Sequence, residues 1–215
     1  MGVQFNNVAN EGGIPIKSLV TVGNPLGSTS ATGSADQIWT YDGDTWTKYY
    51  FYKRGTTTKW CVAGSTVEIS DEVVLNPGQS FFFLRSNADS NESTTLTLAG
   101  GVVTLTSKPS YSVAPGSTTA MAWPWPEAMK VKDFNNYNPD PLGSTSATGS
   151  ADQIWTYDGD TWTKYYFYKR GTTTKWCLAG STVEIGDDVT IAAGSAFFFL
   201  RSNAASSATT IQFSR

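Results

Sequence analysis

The chain has 215 residues, a net charge of −3, no histidine and two cysteines, with 15% of its residues charged and 13% aromatic. This composition fits an ordered β protein and gives no electrostatic case for binding nucleic acid or an anionic membrane surface. Without histidine the chain lacks the commonest general base and the commonest zinc ligand, and no apolar run approaches the roughly 18 residues of a membrane span.

Residues 2–10 hold a short alternating run with Val3 and Phe5, followed by the turn signal Glu11-Gly12-Gly13. This segment is either the first strand of a domain or an arm that completes the sheet of another molecule. Residues 1–10 have neither the basic start nor the apolar core of a signal peptide. The chain is therefore either cytoplasmic or a mature one whose leader has been removed, and enrichment in Ser, Thr, Gly and aromatics with little Lys points to the second, a secreted or cell-surface protein. Residues 16–22 read as a strand. Residues 27–35, GSTSATGSA, form a small polar loop without the Lys-Ser/Thr ending that phosphate binding requires.

Residues 38–41 and 45–53 are aromatic and β-branched, with Asp42-Gly43 between them, which predicts a hairpin. A two-residue loop there sets Tyr41 opposite Asp44 and Trp39 opposite Trp46. Arg54-Gly55-Thr56 turns the chain into a third strand over 57–62, completing a meander. On the middle strand Trp46, Lys48, Tyr50 and Tyr52 share one face, and Thr47, Tyr49, Phe51 and Lys53 the other. Aromatics on both faces imply that the second face also meets something: another sheet, the sister domain, a neighbouring molecule or a ligand. Cys61 sits beside Trp60 on the third strand as a small buried hydrophobe, with a bridge between domains, to Cys177, or between molecules the alternative. Residues 73–75 form a short strand. Residues 80–85, SFFFLR, read as a strand buried on both faces at the centre of the core, and 94–98 close the domain.

The chain then repeats itself. Residues 25–61 recur letter for letter at 141–177, and similarity continues from SFFFLRSNA at 80–88 to AFFFLRSNA at 196–204. Trp155, Trp162, Tyr166, Tyr168 and Cys177 are thus the second copies of Trp39, Trp46, Tyr50, Tyr52 and Cys61. So long a period means two tandem domains, 1–107 with the N-terminal arm and 108–215. The expected fold is all-β: two antiparallel β-sandwich or barrel-like domains, near-identical in their central and C-terminal parts. Domain 2 opens with strands over 111–113 and 118–123 around Ala114-Pro115-Gly116. Trp123-Pro124-Trp125-Pro126 and a short helical stretch over 127–133 read as an insertion near 123–139, with Trp123 and Trp125 as a docking element.

The order NPLGS, ADQIWTYDG, aromatic strand, Trp-containing strand, NPGQSFFFLRS and TTLTLAG resembles uncharacterised exported bacterial β-repeat proteins. In these an Asn-Pro-Leu turn and a Pro-Gly-x-x-Phe-Phe strand bracket each domain. The resemblance covers residues 16–101, and copy two departs from it at Ala192-Ala193-Gly194 and Asp140-Pro141-Leu142. It implies export and β architecture, with no catalytic residues to carry over.

The functional expectation is a non-enzymatic structural protein, a self-assembling subunit of an extracellular filament, tube or surface layer, with other copies of itself as partners. Val3, Phe5, Trp39, Trp46, Tyr50, Tyr52, Trp123, Trp125, Trp155, Trp162, Tyr166 and Tyr168 are the candidate surface residues. The alternative is a secreted carbohydrate-binding module that stacks sugars on the same aromatics, with Asp42 and Asp44 for hydroxyls. No cofactor, metal, nucleic-acid partner or membrane insertion is expected. Asp42-Gly43-Asp44 lacks the full calcium loop, and Asn91-Glu92-Ser93, a glycosylation pattern, is missing from copy two.

Overall fold

The computed structural model describes residues 3–7, 13–22, 26–76, 79–86, 95–97 and 110–213, and these are mostly β. The chain divides into two compact units, Met1–Thr104 and Leu105–Arg215. The glycosylation pattern at 91–93 lies outside the described residues.

The first unit contains β1 Val3–Asn7, β2 Ile14–Pro15, β3 Val20–Val22, β4 Gln37–Tyr41, β5 Trp46–Arg54, β6 Thr57–Val62, β7 Val74–Leu75, β8 Ser80–Leu84 and β9 Thr95–Thr97. Five of these form an antiparallel sheet in the order β1-β8-β4-β5-β6, and β2-β7 and β3-β9 are two-stranded ribbons. The second unit contains β10 Ser110–Val113, β11 Thr118–Ala122, β12 Met129–Lys130, β13 Gln153–Tyr157, β14 Trp162–Arg170, β15 Thr173–Leu178, β16 Thr190–Ile191, β17 Ala196–Leu200 and β18 Thr209–Gln212. Its sheet runs β11-β17-β13-β14-β15, with ribbons β12-β16 and β10-β18.

The meander is where the sequence places it, but its first turn is longer than expected. The two-residue loop is Gly55-Thr56, between the paired Arg54 and Thr57, with Gly55 at φ 61°, a position a glycine fills without strain. The first hairpin has the longer loop, because Tyr41 pairs with Trp46 and Trp39 with Lys48. The Asp42 side chain causes this: its Oδ1 accepts the N–H groups of Asp44 and Thr45, and its Oδ2 accepts the Thr45 hydroxyl. The register moves by two residues, so Trp39 and Trp46 still share a face.

The strand expected over 16–22 is interrupted by a 3-10 turn, Ile16–Ser18. Ile16 and Leu19 are both buried, a spacing of three that a turn brings to one side and a strand does not. In the second unit Val131 and Phe134 show the same spacing on a longer 3-10 stretch, Val131–Tyr137, where a short helix was expected.

Strand register decides between the two readings of the first run, in favour of the domain's first strand, and corrects the insertion expected near 123–139. Val3–Asn7 is no free arm: it pairs with β8 along its whole length, with Val3 opposite Leu84 and Phe5 opposite Phe82. β11 sits on β17 in the same way, Thr118 opposite Leu200, and Met129 stands opposite Ile191 as Ile14 does opposite Leu75. Residues 123–128 therefore replace 8–13 rather than being inserted. Trp123 is buried at 3% exposure, donates its Nε1–H to the Glu127 carbonyl, and packs its ring on Tyr137 and Phe213 at 5.2 and 5.3 Å. Trp125 is partly buried against the same core. The prolines stiffen a loop whose tryptophans face inward, so this is no docking element.

β8 and β17 are the centre of each core, as expected. Phe81 and Phe83 join Ile14, Ile16, Leu19, Ile38, Trp60 and Leu75 on one face of the first sheet, and Phe197 and Phe199 join Val113, Phe134, Ile154, Trp176, Ile211 and Phe213 in the second. Each such side chain contributes about 1.5–3 kcal/mol by leaving water. At the rim Lys17 pairs with Asp71 at 3.0 Å, and Lys130 and Lys132 pair with Asp187, pulling its carboxyl down to about 2.

A polar clamp ties the opposite face. Asp36 is fully buried and accepts the N–H of Gly27 at 2.8 Å, the Arg85 guanidinium at 2.5 Å and the N–H of Ser86 at 2.5 Å. Asp152 repeats this with Gly143, Arg201 and Ser202. The clamp joins the ends of loop 27–36 to the end of β8. Removing one partner of a buried ion pair costs about 3–5 kcal/mol. Asp152→Ala should therefore destabilise the second unit by about that amount in urea unfolding of the full chain, whereas Asp158→Ala, in an exposed loop, should cost far less.

Candidate functional site

The outer face of each five-stranded sheet is split in two by the clamped loop. On one half, loop 27–36 lies along β5, with Thr29 in a parallel bridge with Tyr52 and the Lys53 N–H donating to the Thr29 carbonyl at 3.1 Å. Beneath it Ala35, Tyr50, Tyr52 and Cys61 form a small closed cluster, matched by Ala151, Tyr166, Tyr168 and Cys177. Tyr50 and Tyr166 donate their hydroxyls to the carbonyls of Ser65 and Ser181 at 2.8 and 2.7 Å, and burial pushes both phenols up. Tyr50, Tyr52, Tyr166 and Tyr168, expected at a docking surface, are thus 2–6% exposed and belong to the interior. Cys61 and Cys177 are free, buried thiols, each placed as a small buried hydrophobe in its cluster.

The other half stays open. Cross-strand register brings Trp39, Tyr41, Trp46, Lys48 and Phe82 together as a ledge. The Trp46 ring lies 6.2 Å from Trp39, 4.8 Å from Tyr41 and 5.5 Å from Phe82, and remains 40% exposed. The Trp39 indole donates to Gln37 Oε1 at 2.8 Å, and Gln37 donates in turn to the Thr32 carbonyl, so the clamped loop also orients the ledge. Lys48 Nζ stands 3.7 Å over the Trp39 ring. That cation–π contact occupies one face of the indole and leaves Trp46 as the more accessible ring. The second ledge repeats these contacts: Trp162 is 6.5 Å from Trp155, 4.8 Å from Tyr157 and 5.4 Å from Phe198, again 40% exposed, with Lys164 3.9 Å over Trp155.

At the tip of the ledge the Asp42 carboxylate is occupied by its own loop, whose N–H donors from Thr45 and then Asp44 hold its pKa below the usual range. Asp44, beside it, is exposed.

Of the residues singled out from the sequence, Trp39, Trp46, Trp155 and Trp162 form the ledges. Val3 and Phe5 lie in β1, and Trp123 and Trp125 pack in the core. Lys48, Tyr41 and Phe82 complete the ledge without having been singled out. The two-residue period of β5 places Lys48 beside Trp46, whereas Phe82 is hidden in an unbroken apolar run. Among the described residues no group of His, Cys, Asp or Glu could hold a metal ion, and no helix is long and apolar enough to cross a membrane. No family model, curated protein or solved structure matches the chain.

Burial raises the pKa of both thiols above their ordinary 9.0. The folded chain should therefore react negligibly with a thiol reagent at pH 8 and release two thiols per chain in denaturant. Because the unfolded thiols ionise first, the stability they contribute is complete below pH 9 and declines as pH rises above it. Rapid titration of either thiol in the native state would contradict their placement.

Proposed function

We propose that the chain is a non-enzymatic structural protein of the cell exterior, a tandem pair of β-sandwich domains that associates with further copies of itself through its aromatic ledges. The observation that carries this reading is the duplicate, half-exposed indole of Trp46 and Trp162, each mounted on three packed aromatic rings. Burying such a ring contributes about 1.5–3 kcal/mol. Two identical surfaces on one chain allow a contact to propagate from copy to copy and strengthen it through avidity. The low charge of the chain limits the repulsion between copies. The carboxylates also support a structural role: Asp36 and Asp152 are consumed by the clamps, and Asp42 and Asp158 by their hairpin loops.

A second reading, binding of an extracellular glycan, is favoured by exposed Asp44 and Asp160 near the half-exposed indoles, a combination that suits a stacked sugar ring with its hydroxyls. Sedimentation velocity and electron microscopy separate the two readings. The wild-type chain should form regular, concentration-dependent polymers, and Trp46→Ala/Trp162→Ala should sediment as a monomer with unchanged β-sheet circular dichroism. A wild-type chain that stays monomeric at high concentration, with its tryptophan fluorescence quenched by one member of a glycan panel, would replace the first reading with the second.

A further inference from the structure

Among the described residues the exposed large apolar side chains are Trp46, Val62 and Val67 in the first unit and Trp162, Leu178 and Val183 in the second. They fall at matching positions and make two patches per unit. Trp46 and Trp162 belong to the ledges. The other patch lies beyond the β6 or β15 edge of the sheet, on the loop that follows that strand. There Cys61 bridges antiparallel to Glu68, and Cys177 to Glu184. The next residues along that register, Val62 with Val67 and Leu178 with Val183, therefore face each other.

Each loop keeps its valine in solvent on a fixed backbone. Val67 is 74% exposed and Val183 72%. Ser65 Oγ accepts the Val67 N–H at 3.0 Å, and the Ser65 carbonyl accepts the Tyr50 hydroxyl at 2.8 Å. Ser181 does the same for Val183 and Tyr166. Ile69 and Ile185 pin the far end by donating their N–H groups to the Trp60 and Trp176 carbonyls, each at 3.0 Å. A side chain presented on so fixed a loop loses little freedom when a partner covers it.

The two patches also differ in charge. Lys48 and Lys164 stand over the inner indoles and pair with no carboxylate among the described residues. Along β5 the exposed indole of Trp46 lies between Lys48 and the hairpin loop that carries Asp44, so the lysine end of the ledge is the one open to a carboxylate. Around Val67 stand Glu68, Asp71 and Glu72, all exposed, and Lys17 reaches the first two. Around Val183 stand Glu184, Asp187 and Asp188, with Lys130 and Lys132 both on Asp187. Each loop is left with an excess of negative charge. Ledge against ledge sets lysine against lysine, and loop against loop crowds carboxylates. Only the cross pairing matches apolar with apolar and charge with charge.

We infer that the occupant of each ledge is the loop 65–72 or 181–188 of a second copy, which seats Val67 or Val183 on the exposed indole and turns Glu68 or Glu184 toward Lys48 or Lys164. The contact is heterologous, and such a contact leaves a free ledge and a free loop at every step, so it extends into a filament unless its rotation closes a ring. The inference rests on the self-association reading and adds the surface that meets the ledge.

The test is a charge swap in the full chain, read by sedimentation velocity. One variant carries Lys48→Glu with Lys164→Glu, the other Glu68→Lys with Glu184→Lys. Each alone should need at least about a tenfold higher concentration than wild type to polymerise, because every ledge then meets a loop of like charge. Mixed in equal amounts they should polymerise near the wild-type concentration, since reversed ledges meet reversed loops and unchanged ledges unchanged loops. Val67→Thr with Val183→Thr, which keeps side-chain shape at exposed positions, should raise the threshold in the same direction with unchanged circular dichroism. Variants that polymerise as wild type does, or a mixture no better than its parts, would overturn the ledge–loop contact and leave self-association standing. A wild-type chain that stays monomeric while a glycan quenches its tryptophans would remove both.

Discussion

A carboxylate sealed from water, Asp36 in the first unit and Asp152 in the second, is the constraint on which the rest depends. A buried charge is tolerated only when paired and hydrogen-bonded, and here a guanidinium and two backbone N–H groups meet it. The loop that it anchors, GSTSATGSA, has no large apolar side chain with which to hold itself against the sheet. A polar anchor does what burial cannot. Once the loop is in place it turns half of an aromatic face into interior, closing over Tyr50, Tyr52 and Cys61, and leaves Trp39, Trp46 and Lys48 outside.

The duplication separates what the architecture requires from what it tolerates. Val3-Gln4-Phe5 and Thr118-Thr119-Ala120 have little in common, yet they take the same register on β8 and β17. Edge position and pairing, rather than side-chain identity, define that strand. The Asp clamp, the aromatic ledge and the lysine over its inner indole recur in both units with matching partners, and in the second unit Arg201 also donates to the Pro141 and Ser207 carbonyls. The strands beside β9 and β18 differ, which makes that region the place where one unit is distinguished from the other.

Much of the β architecture was legible in the residues. Asp-Gly and Gly-Thr dipeptides marked the turns of the meander, and the triple phenylalanine marked the central strand, because short-range turn chemistry and continuous apolarity are local signals. The four-residue hairpin loop was not legible, since it follows from one Asp side chain preferring its own backbone to a tighter turn. Trp123 looked like a surface element because Trp-Pro-Trp-Pro excludes a central strand, yet a loop free of the sheet can still turn its indoles inward. The ledge was half legible: alternation grouped Trp46 with Tyr50 and Tyr52, but only the fold shows that a remote loop covers the two tyrosines and stops short of the tryptophan.

That division of the sheet face is the central claim, and hydroxyl-radical footprinting read by mass spectrometry tests it most directly. On the native chain Trp46 and Trp162 should be oxidised readily, while Tyr50, Tyr52, Tyr166 and Tyr168 remain protected until the fold is lost. Tyrosines labelled as fast as the tryptophans under native conditions would contradict it.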